Sequence, residues 1–175
     1  MNINTENLES NREQWASIDG YRNYEISWWG RVRNEKTGRI LKPGLSGDGY
    51  LSVGLCKNGK AKTHKIHQLV ASEWTPNTED KRCVDHTDGD NLNIHKENLR
   101  FATHTENSRN QKKTNKATSF IYKGVSFHKP SKKWLLHIRT NGTVQHLGLF
   151  TNETEAAEAY NAAAAEHYGE FAKLN

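Results

Sequence analysis

An acid, an imidazole and two amides stand within one short stretch of this sequence, residues 83–107. They are Asp85, His86, Asn98 and Asn107. A neutral histidine titrates near physiological pH and can take a proton from water. A carboxylate and an amide offer oxygen ligands to a hard cation that keeps several waters of its own. The set therefore suits a hydrolysis in which a base activates water beside a bound cation.

The elements that must position this set are predicted as a strand, a loop, a second strand and a helix start. The first strand ends at residues 84–86, and Asp and Asn with Gly make residues 87–91 a turn-rich loop. Residues 98–101 predict the second strand, and residues 103–107 start a helix with a capping-box pattern. The acid and the imidazole are neighbours on a strand, where successive side chains point to opposite faces. They can share one cleft only if the strand ends there, as the loop suggests.

This stretch resembles the HNH, or ββα-metal, nucleases, most closely the homing endonucleases of that superfamily. The family pattern is an Asp-His pair, an Asn before a Leu, and a His or Asn on the helix, matched here by Asp85-His86, Asn98-Leu99 and Asn107. Asn98 follows His86 by 12 residues and Asn107 follows it by 21. The resemblance implies that His86 is the general base. It also implies that Asp85 and Asn107 hold one Mg²⁺ or Mn²⁺ per active site, and that Asn98 bonds the loop backbone and fixes the imidazole.

Composition favours small modules and an anionic partner. The chain has 175 residues, of which 34% are hydrophobic, and its mean hydropathy is −0.94. Its net charge is +5 and its pI about 9.2, which favours an anionic partner. With the resemblance to HNH nucleases, the expected partner is double-stranded DNA. The charge is uneven, because residues 108–150 carry Lys and Arg but no Asp or Glu.

The cysteine count and the lack of recognisable targeting signals argue against several classes of protein. Two cysteines, Cys56 and Cys83, cannot build a zinc ribbon of four thiolates. No apolar run reaches the ~18 residues of a membrane helix, and no signal peptide is evident at the N-terminus. The sequence predicts no membrane partner and a cytoplasmic place in a phage, bacterial or other mobile-element host.

Residues 15–65 predict short β-strands. Residues 15–21, 24–27 and 30–33 resemble the modular domain that often precedes HNH cores in homing endonucleases, where it is associated with DNA binding. Further strands are predicted at residues 40–43, 50–55 and 62–66, with an Asn-Gly hairpin turn at residues 58–59 and a helix at residues 67–74.

Several side chains within residues 15–74 have two open interpretations. Arg31 and Arg33 share one strand face and either contact phosphates or form a solvated face. The Trp28-Trp29 pair is either a base-stacking wedge or a small-domain core with one ring exposed. His64 and His67 are further ligand candidates, with structural roles expected.

The polar segment 108–119 is predicted as a basic linker that lacks the apolar residues needed to pack. It is either a strap along a DNA groove or a plain linker. Its candidate DNA contacts are Arg109, Lys112, Lys113 and Lys116.

Residues 120–175 predict three strands, at 122–127, 133–139 and 144–150, and then a helix that runs to Tyr168. One helix face is predicted to carry Ala156, Tyr160, Ala163, Ala164 and His167. The unit resembles the plant ethylene-response-factor type of DNA-binding domain, on residues 122–125, 133–134, 138–139, 147–150, 155–157, 159–160 and 173–175. That resemblance implies a sheet in the major groove, with Lys123, His128, His137, Arg139 and His146 facing DNA. Arg139 is the candidate for a guanine contact. Ser126 and His137 stand where the family usually has Arg and Glu, so its sequence preference does not transfer.

The predicted fold class is α+β in several modules. The segments are a flexible tail at 1–13, a nuclease-associated β module at 14–63, the HNH module at 64–107, the basic linker at 108–119, and a domain with a three-stranded antiparallel sheet packed on one helix at 120–175. The predicted function is a site-specific DNA endonuclease, and the alternative is a DNA-binding regulator with an inactive HNH scaffold. A further rival is a defence or packaging nuclease with loose specificity. Monomer and homodimer both stay open.

Overall fold

Residues 13–111 and 121–175 are described here from a computed structural model. They fall into two units, Met1–Ala102 and Thr103–Asn175. The described residues form several small antiparallel sheets and three α-helices. This content confirms the predicted α+β class. None of these helices has the length and hydrophobicity needed to cross a bilayer.

The first unit contains three antiparallel sheets, in the orders β1-β2-β3, β4-β5-β6 and β7-β8, and one helix. Its elements are β1 (Trp15–Ser17), β2 (Tyr24–Ser27), β3 (Val32–Asn34), β4 (Gly44–Leu45), β5 (Leu51–Lys57), β6 (Lys60–Lys65), α1 (Ile66–Trp74), β7 (Cys83–His86) and β8 (Leu99–Ala102).

One hydrophobic core serves all three sheets of this unit. It joins Ile26 of β2, Leu55 of β5, Val70 of α1 and Leu99 of β8. The predicted β module and the strand–loop–strand part of the HNH module therefore stabilise each other. The helix α1 lies at their junction, where Trp74 donates an indole hydrogen bond to the carbonyl of Ile26 at 3.3 Å.

Turn chemistry explains which predicted strands form. Lys57 pairs with Lys60, and Asn58 and Gly59 between them have φ of 53° and 75°, which confirms the predicted two-residue hairpin. The strand predicted at residues 40–43 is wrong. Only an isolated bridge joins Ile40 to Arg33, and the pairing strand is β4 instead, because proline has no N–H to donate to a ladder.

The second unit packs a three-stranded antiparallel sheet on one long helix. Its elements are α2 (His104–Asn110), β9 (Val125–His128), β10 (Lys133–Thr140), β11 (Thr143–Phe150) and α3 (Glu153–Tyr168), with the sheet order β11-β10-β9. Leu136 and Ile138 of β10 are buried against Ala156, Tyr160 and Ala164 of α3. The three-strand-and-helix pattern is therefore confirmed, while its family assignment stays a prediction.

A glycine brings helix and sheet together. Gly124 has φ of 74°, and a Cβ there would lie 2.2 Å from the ring of Tyr160. The predicted strand 122–127 accordingly starts late, at Val125, because the chain turns at this glycine.

Three finer expectations for this unit need correction. His167 is exposed, and Tyr168 takes its expected place on the buried face. Asn152 caps α3 by accepting from the N–H of Thr154, rather than through a pair with Glu155. The predicted linker begins too early, because Ser108, Arg109 and Asn110 complete α2.

Candidate active site

The strand β7 ends in a buried acid–imidazole pair. Asp85 and His86 are each 4% exposed. Asp85 pairs with Arg100 and His86 with Leu99 across the β7–β8 ladder. The chain then turns, since Gly89 donates its N–H to the carbonyl of His86 at 2.8 Å. The strand therefore ends where the sequence predicted that it would.

The carboxylate of Asp85 is held by a guanidinium on the neighbouring strand. Arg100 donates from Nε at 2.9 Å and from Nη2 at 2.8 Å, in both cases to Oδ2 of Asp85. Both side chains are largely withdrawn from water, at 5% and 14% exposure for Asp85 and Arg100. Burial strengthens such charge-assisted bonds.

His86 lies among aromatic rings. Its ring centroid is 5.0 Å from that of His67 on α1, with an edge-on arrangement, and 5.9 Å from that of Tyr50. Burial lowers the pKa of His86, and the nearby carboxylates of Asp85 and Asp88 offset part of this effect. The imidazole is thereby favoured in its neutral form, which is the form that accepts a proton.

Asn98 fixes the loop after β7. Its Oδ1 accepts from the N–H of Asp88 at 3.1 Å, and its Nδ2 donates to Asp88 Oδ1 at 3.0 Å and to the carbonyl of Asn93 at 2.8 Å. The predicted bonding of Asn98 to the loop backbone is therefore present, although Asn98 ends a short 3-10 helix, Lys96–Asn98, rather than starting the strand. Its effect on catalysis stays a prediction.

Asn107 lies on α2, in the second unit. A capping box begins this helix, in which Thr103 Oγ1 accepts from the N–H of Glu106 at 3.2 Å and Glu106 Oε2 accepts from the N–H of Thr103 at 2.7 Å. The capping box predicted from sequence is confirmed. The role of Asn107 as a ligand stays a prediction. In the described ranges, no three His, Cys, Asp or Glu side chains converge as a metal cluster would.

The other two candidate histidine ligands, His64 and His67, pack against neighbouring side chains of the first unit. His64 Nε2 lies 2.8 Å from the hydroxyl of Tyr21, and burial lowers the pKa of His64. His67 is buried, and burial lowers its pKa to about 4, with the charges of His86 and Lys65 adding to the effect. Its Nδ1 makes no hydrogen bond within the described residues.

The two arginines of the N-terminal sheet are engaged within the chain. Arg31 bonds Glu13, and Arg33 donates from Nε to Glu25 at 2.6 Å. The guanidinium of Arg33 also lies 4.1 Å from the ring centroid of Trp15. Predicted phosphate contacts by these arginines would have to compete with those pairs.

The two rings of the tryptophan pair differ in exposure, and Trp28 is half-buried. The ring of Trp28 packs 6.2 Å from that of Trp74 and 4.3 Å from the ammonium of Lys96. Trp29 is 44% exposed.

Four of the predicted DNA-facing residues share one face of the C-terminal sheet, which we call the outer face: His128, His137, Arg139 and His146. His137 lies opposite His146 in the ladder, and Arg139 is exposed. His128, His137 and Arg139 alternate with the buried positions of β9 and β10, so they point away from α3, and His146 lies beside His137 on the same face. Lys112, Lys113 and Lys116 lie outside the described residues.

Lys123 and Arg109 were predicted to contact DNA, but both contact other residues of the second unit. The ammonium of Lys123 bonds backbone carbonyls at the end of α2, and burial lowers its pKa. The guanidinium of Arg109 lies 4.6 Å from the ring centroid of Tyr168.

Sequence reasoning missed Arg100 and Asp88. A signal for Arg100 did exist, because antiparallel pairing of the two predicted strands sets an arginine opposite Asp85, and opposite charges there stabilise each other.

The chain is similar to several known proteins. The NUMOD4 motif matches residues 13–56. The chain is 40% identical to the DNA endonuclease I-HmuI of Bacillus phage SP01 over 99 residues, covering 56% of this chain and 57% of that protein. It is 37% identical over 95 residues to the uncharacterized HNH endonuclease L245 of Acanthamoeba polyphaga mimivirus, covering 54% of this chain and 28% of that one.

A solved structure is also similar. It is described as DNA binding and cleavage by the HNH homing endonuclease I-HmuI, and matches with a TM-score of 0.53 at 27% identity, over 89% of this chain and 91% of that one. The fold is thus similar to that of an HNH homing endonuclease. The chain is therefore similar to HNH homing endonucleases in sequence and in fold. It spans about half the length of the phage relative that it matches in sequence.

Proposed function

We propose that this chain is a metal-dependent, homing-type DNA endonuclease that hydrolyses phosphodiester bonds with His86 as general base. The observation that carries the proposal is the buried Asp85–His86 pair at the end of β7, with Asn98 holding the following loop. A general base must be neutral at working pH and held in place. Burial lowers the pKa of His86, and the rings of His67 and Tyr50 flank its imidazole.

The donors available fit a hard divalent cation. We assign Asp85 and Asn107 as the ligands of one Mg²⁺ or Mn²⁺ per active site. A carboxylate with one amide oxygen suits magnesium, which binds few protein oxygens and retains waters. When bound, such an ion stabilises charge on the scissile phosphate and the leaving oxygen. Arg100 already compensates the charge of Asp85, so this carboxylate is kept in a fixed position in the folded protein.

The partner in this proposal is double-stranded DNA. The outer face of the C-terminal sheet supports it, since that face carries Arg139 and three histidines. One base and one cation per chain cut one strand, so a double-strand break needs a second chain or a second binding event. The proposal includes a DNA-binding domain of the ethylene-response-factor type at residues 120–175.

The proposal is tested with purified full chain on a pool of duplex DNA, with Mg²⁺ or with a chelator, and the new ends mapped by sequencing. We expect cutting only with the cation. His86→Ala should lower the cutting rate by about 10²–10⁴-fold, the usual contribution of a general base, with duplex binding in a gel-shift assay unchanged. His167→Ala, an exposed histidine on α3, is the matched control.

Two results would count against the proposal. Equal cutting by His86→Ala would remove the proposed base. Tight duplex binding without any cation-dependent cut would favour a DNA-binding regulator with an inactive HNH scaffold.

A further inference from the structure

The helix α2 is too short to be stable alone. It has seven residues, His104–Asn110, and isolated helices of that length do not persist in water. It also carries Asn107, so its orientation decides where that amide points. Its N-terminus is fixed by the capping box of Thr103 and Glu106. What fixes its C-terminus therefore matters for the position of Asn107.

Lys123 supplies the contact at that C-terminus. Its Nζ donates to the carbonyl of Arg109 at 2.5 Å and to the carbonyl of Gln111, the C-cap residue, at 3.0 Å. The last carbonyls of a helix have no partner within the helix and carry partial negative charge. A lysine ammonium suits them both as donor and as cation.

Lys123 is itself anchored to the rest of the second unit. Its N–H donates to Oδ1 of Asn175 at 2.5 Å, and Nδ2 of Asn175 donates to the carbonyl of Lys123 at 3.1 Å. Asn175 in turn donates its backbone N–H to Oδ1 of Asn161 on α3 at 2.8 Å. A continuous set of hydrogen bonds therefore links α3 to the end of α2.

A second contact joins the same elements. The guanidinium of Arg109 lies over the ring of Tyr168, at 4.6 Å from its centroid. The hydroxyl of Tyr168 donates to the carbonyl of Arg139 on β10 at 2.8 Å. Asn110 of α2 is also buried.

We propose that Lys123 is a positioning residue, which locks the end of α2 to the C-terminal sheet-and-helix domain and thereby sets the orientation of Asn107. This rests on the proposed role of Asn107 as a ligand. The C-terminal domain then has a second task besides any contact with DNA, because it holds the helix that carries the proposed ligand Asn107. The ammonium of Lys123 serves α2 rather than DNA.

The test compares Lys123→Met, Lys123→Arg and the control Lys129→Met, an exposed lysine in the turn before β10. Backbone amide exchange is measured over residues 103–111 by mass spectrometry. Lys123→Met should speed exchange there on the order of tenfold, the value of one charge-assisted hydrogen bond. Lys123→Arg should restore most of the protection, and Lys129→Met should leave it unchanged.

Cleavage kinetics give the second readout. If Lys123 acts through α2, Lys123→Met lowers kcat about tenfold and leaves KM for DNA within about twofold. A rise in KM at constant kcat would make Lys123 a DNA contact and overturn the proposal. Unchanged exchange in α2 would overturn it as well, whatever the kinetics.

A milder variant covers the case in which Lys123→Met does not fold. Asn175→Ala removes the pair that holds the backbone of Lys123, and should speed exchange in α2 to a smaller degree. No change in that variant overturns the proposal. Faster exchange in α2 together with full-rate cutting by Asn107→Ala would mean that Lys123 positions the helix but that Asn107 is not the ligand. Failure of the proposed ligand can therefore be distinguished from failure of the positioning role.

Discussion

Arg100 donates two hydrogen bonds to a single oxygen of Asp85, from Nε at 2.9 Å and from Nη2 at 2.8 Å, across neighbouring strands. Both bonds go to Oδ2, so the guanidinium holds this oxygen and compensates the charge of the carboxylate. A buried ion pair contributes little net stability, but the loss of one partner is costly because a charge then stays buried.

The first prediction follows from this asymmetry. Arg100→Met should lower the free energy of unfolding by about 3 kcal/mol, because the carboxylate of Asp85 remains buried without its guanidinium. The double variant Asp85→Asn with Arg100→Met should cost less than Arg100→Met alone. Urea unfolding at pH 7.5 measures both, with the exposed Arg39→Met as control. A double variant that is less stable than Arg100→Met would contradict this account.

The second prediction concerns Asn98, which makes three side-chain hydrogen bonds to the loop after β7. Asn98→Ala should cost about 1–3 kcal/mol of unfolding free energy, since the loop's polar groups lose their partner. Asn98→Asp should cost at least as much, because it sets a carboxylate against Oδ1 of Asp88.

Amide exchange over residues 87–93 separates a loop effect from a general loss of stability. Both variants should speed exchange there more than in β5. Equal acceleration in the two segments would mean that Asn98 does not hold the loop.

Local sequence signals predicted much of the fold because they act over a few residues. The Asn58-Gly59 turn and the Thr103 capping box each depend on one backbone geometry, and both form. The strand–loop–strand unit followed from spacing. The order of β4, β5 and β6 in their sheet depends on pairing between segments, which the failed strand at residues 40–43 illustrates.

The site was predictable only in part, for a related reason. Asp85, His86 and Asn98 stand in a recognisable order, whereas the partner that each side chain chooses depends on tertiary packing. Lys123 was expected to face DNA because of its position in the resemblance to ethylene-response-factor domains. Its ammonium bonds α2 instead, through carbonyls that no composition or periodicity identifies.

The third prediction is a pH dependence from His67. Burial lowers its folded-state pKa to about 4 from the usual 6.5. Between these values the unfolded chain binds more protons, so stability is fully present above pH 6.5 and falls as the pH drops towards 4. The contribution is about 3 kcal/mol at most. His86 and Lys65 add to the effect and Asp48 opposes it.

His67→Phe keeps a ring in the same position and removes the titration. The unfolding free energy of this variant should fall less than that of the parent chain between pH 6.5 and pH 5, measured in urea at each pH. His167→Phe, at an exposed position, is the control. Parallel curves for parent chain and His67→Phe would show that His67 does not carry this dependence.

The last prediction concerns Arg139 on the outer face of the C-terminal sheet. Its side chain is exposed and points away from α3, beside the cross-strand pair of His137 and His146. A guanidinium that reads guanine loses about 1–3 kcal/mol of discrimination at one base pair when it is replaced, whereas one that contacts a phosphate weakens all sequences alike and lowers the salt slope by about 1. Arg139→Gln should therefore remove a guanine preference at a single position in selections from a random duplex pool, with the slope of log K against log salt nearly unchanged. Arg39→Gln provides the matched control. An unchanged preference with a reduced slope would make Arg139 a backbone contact, and would move the sequence-reading role to the neighbouring histidines.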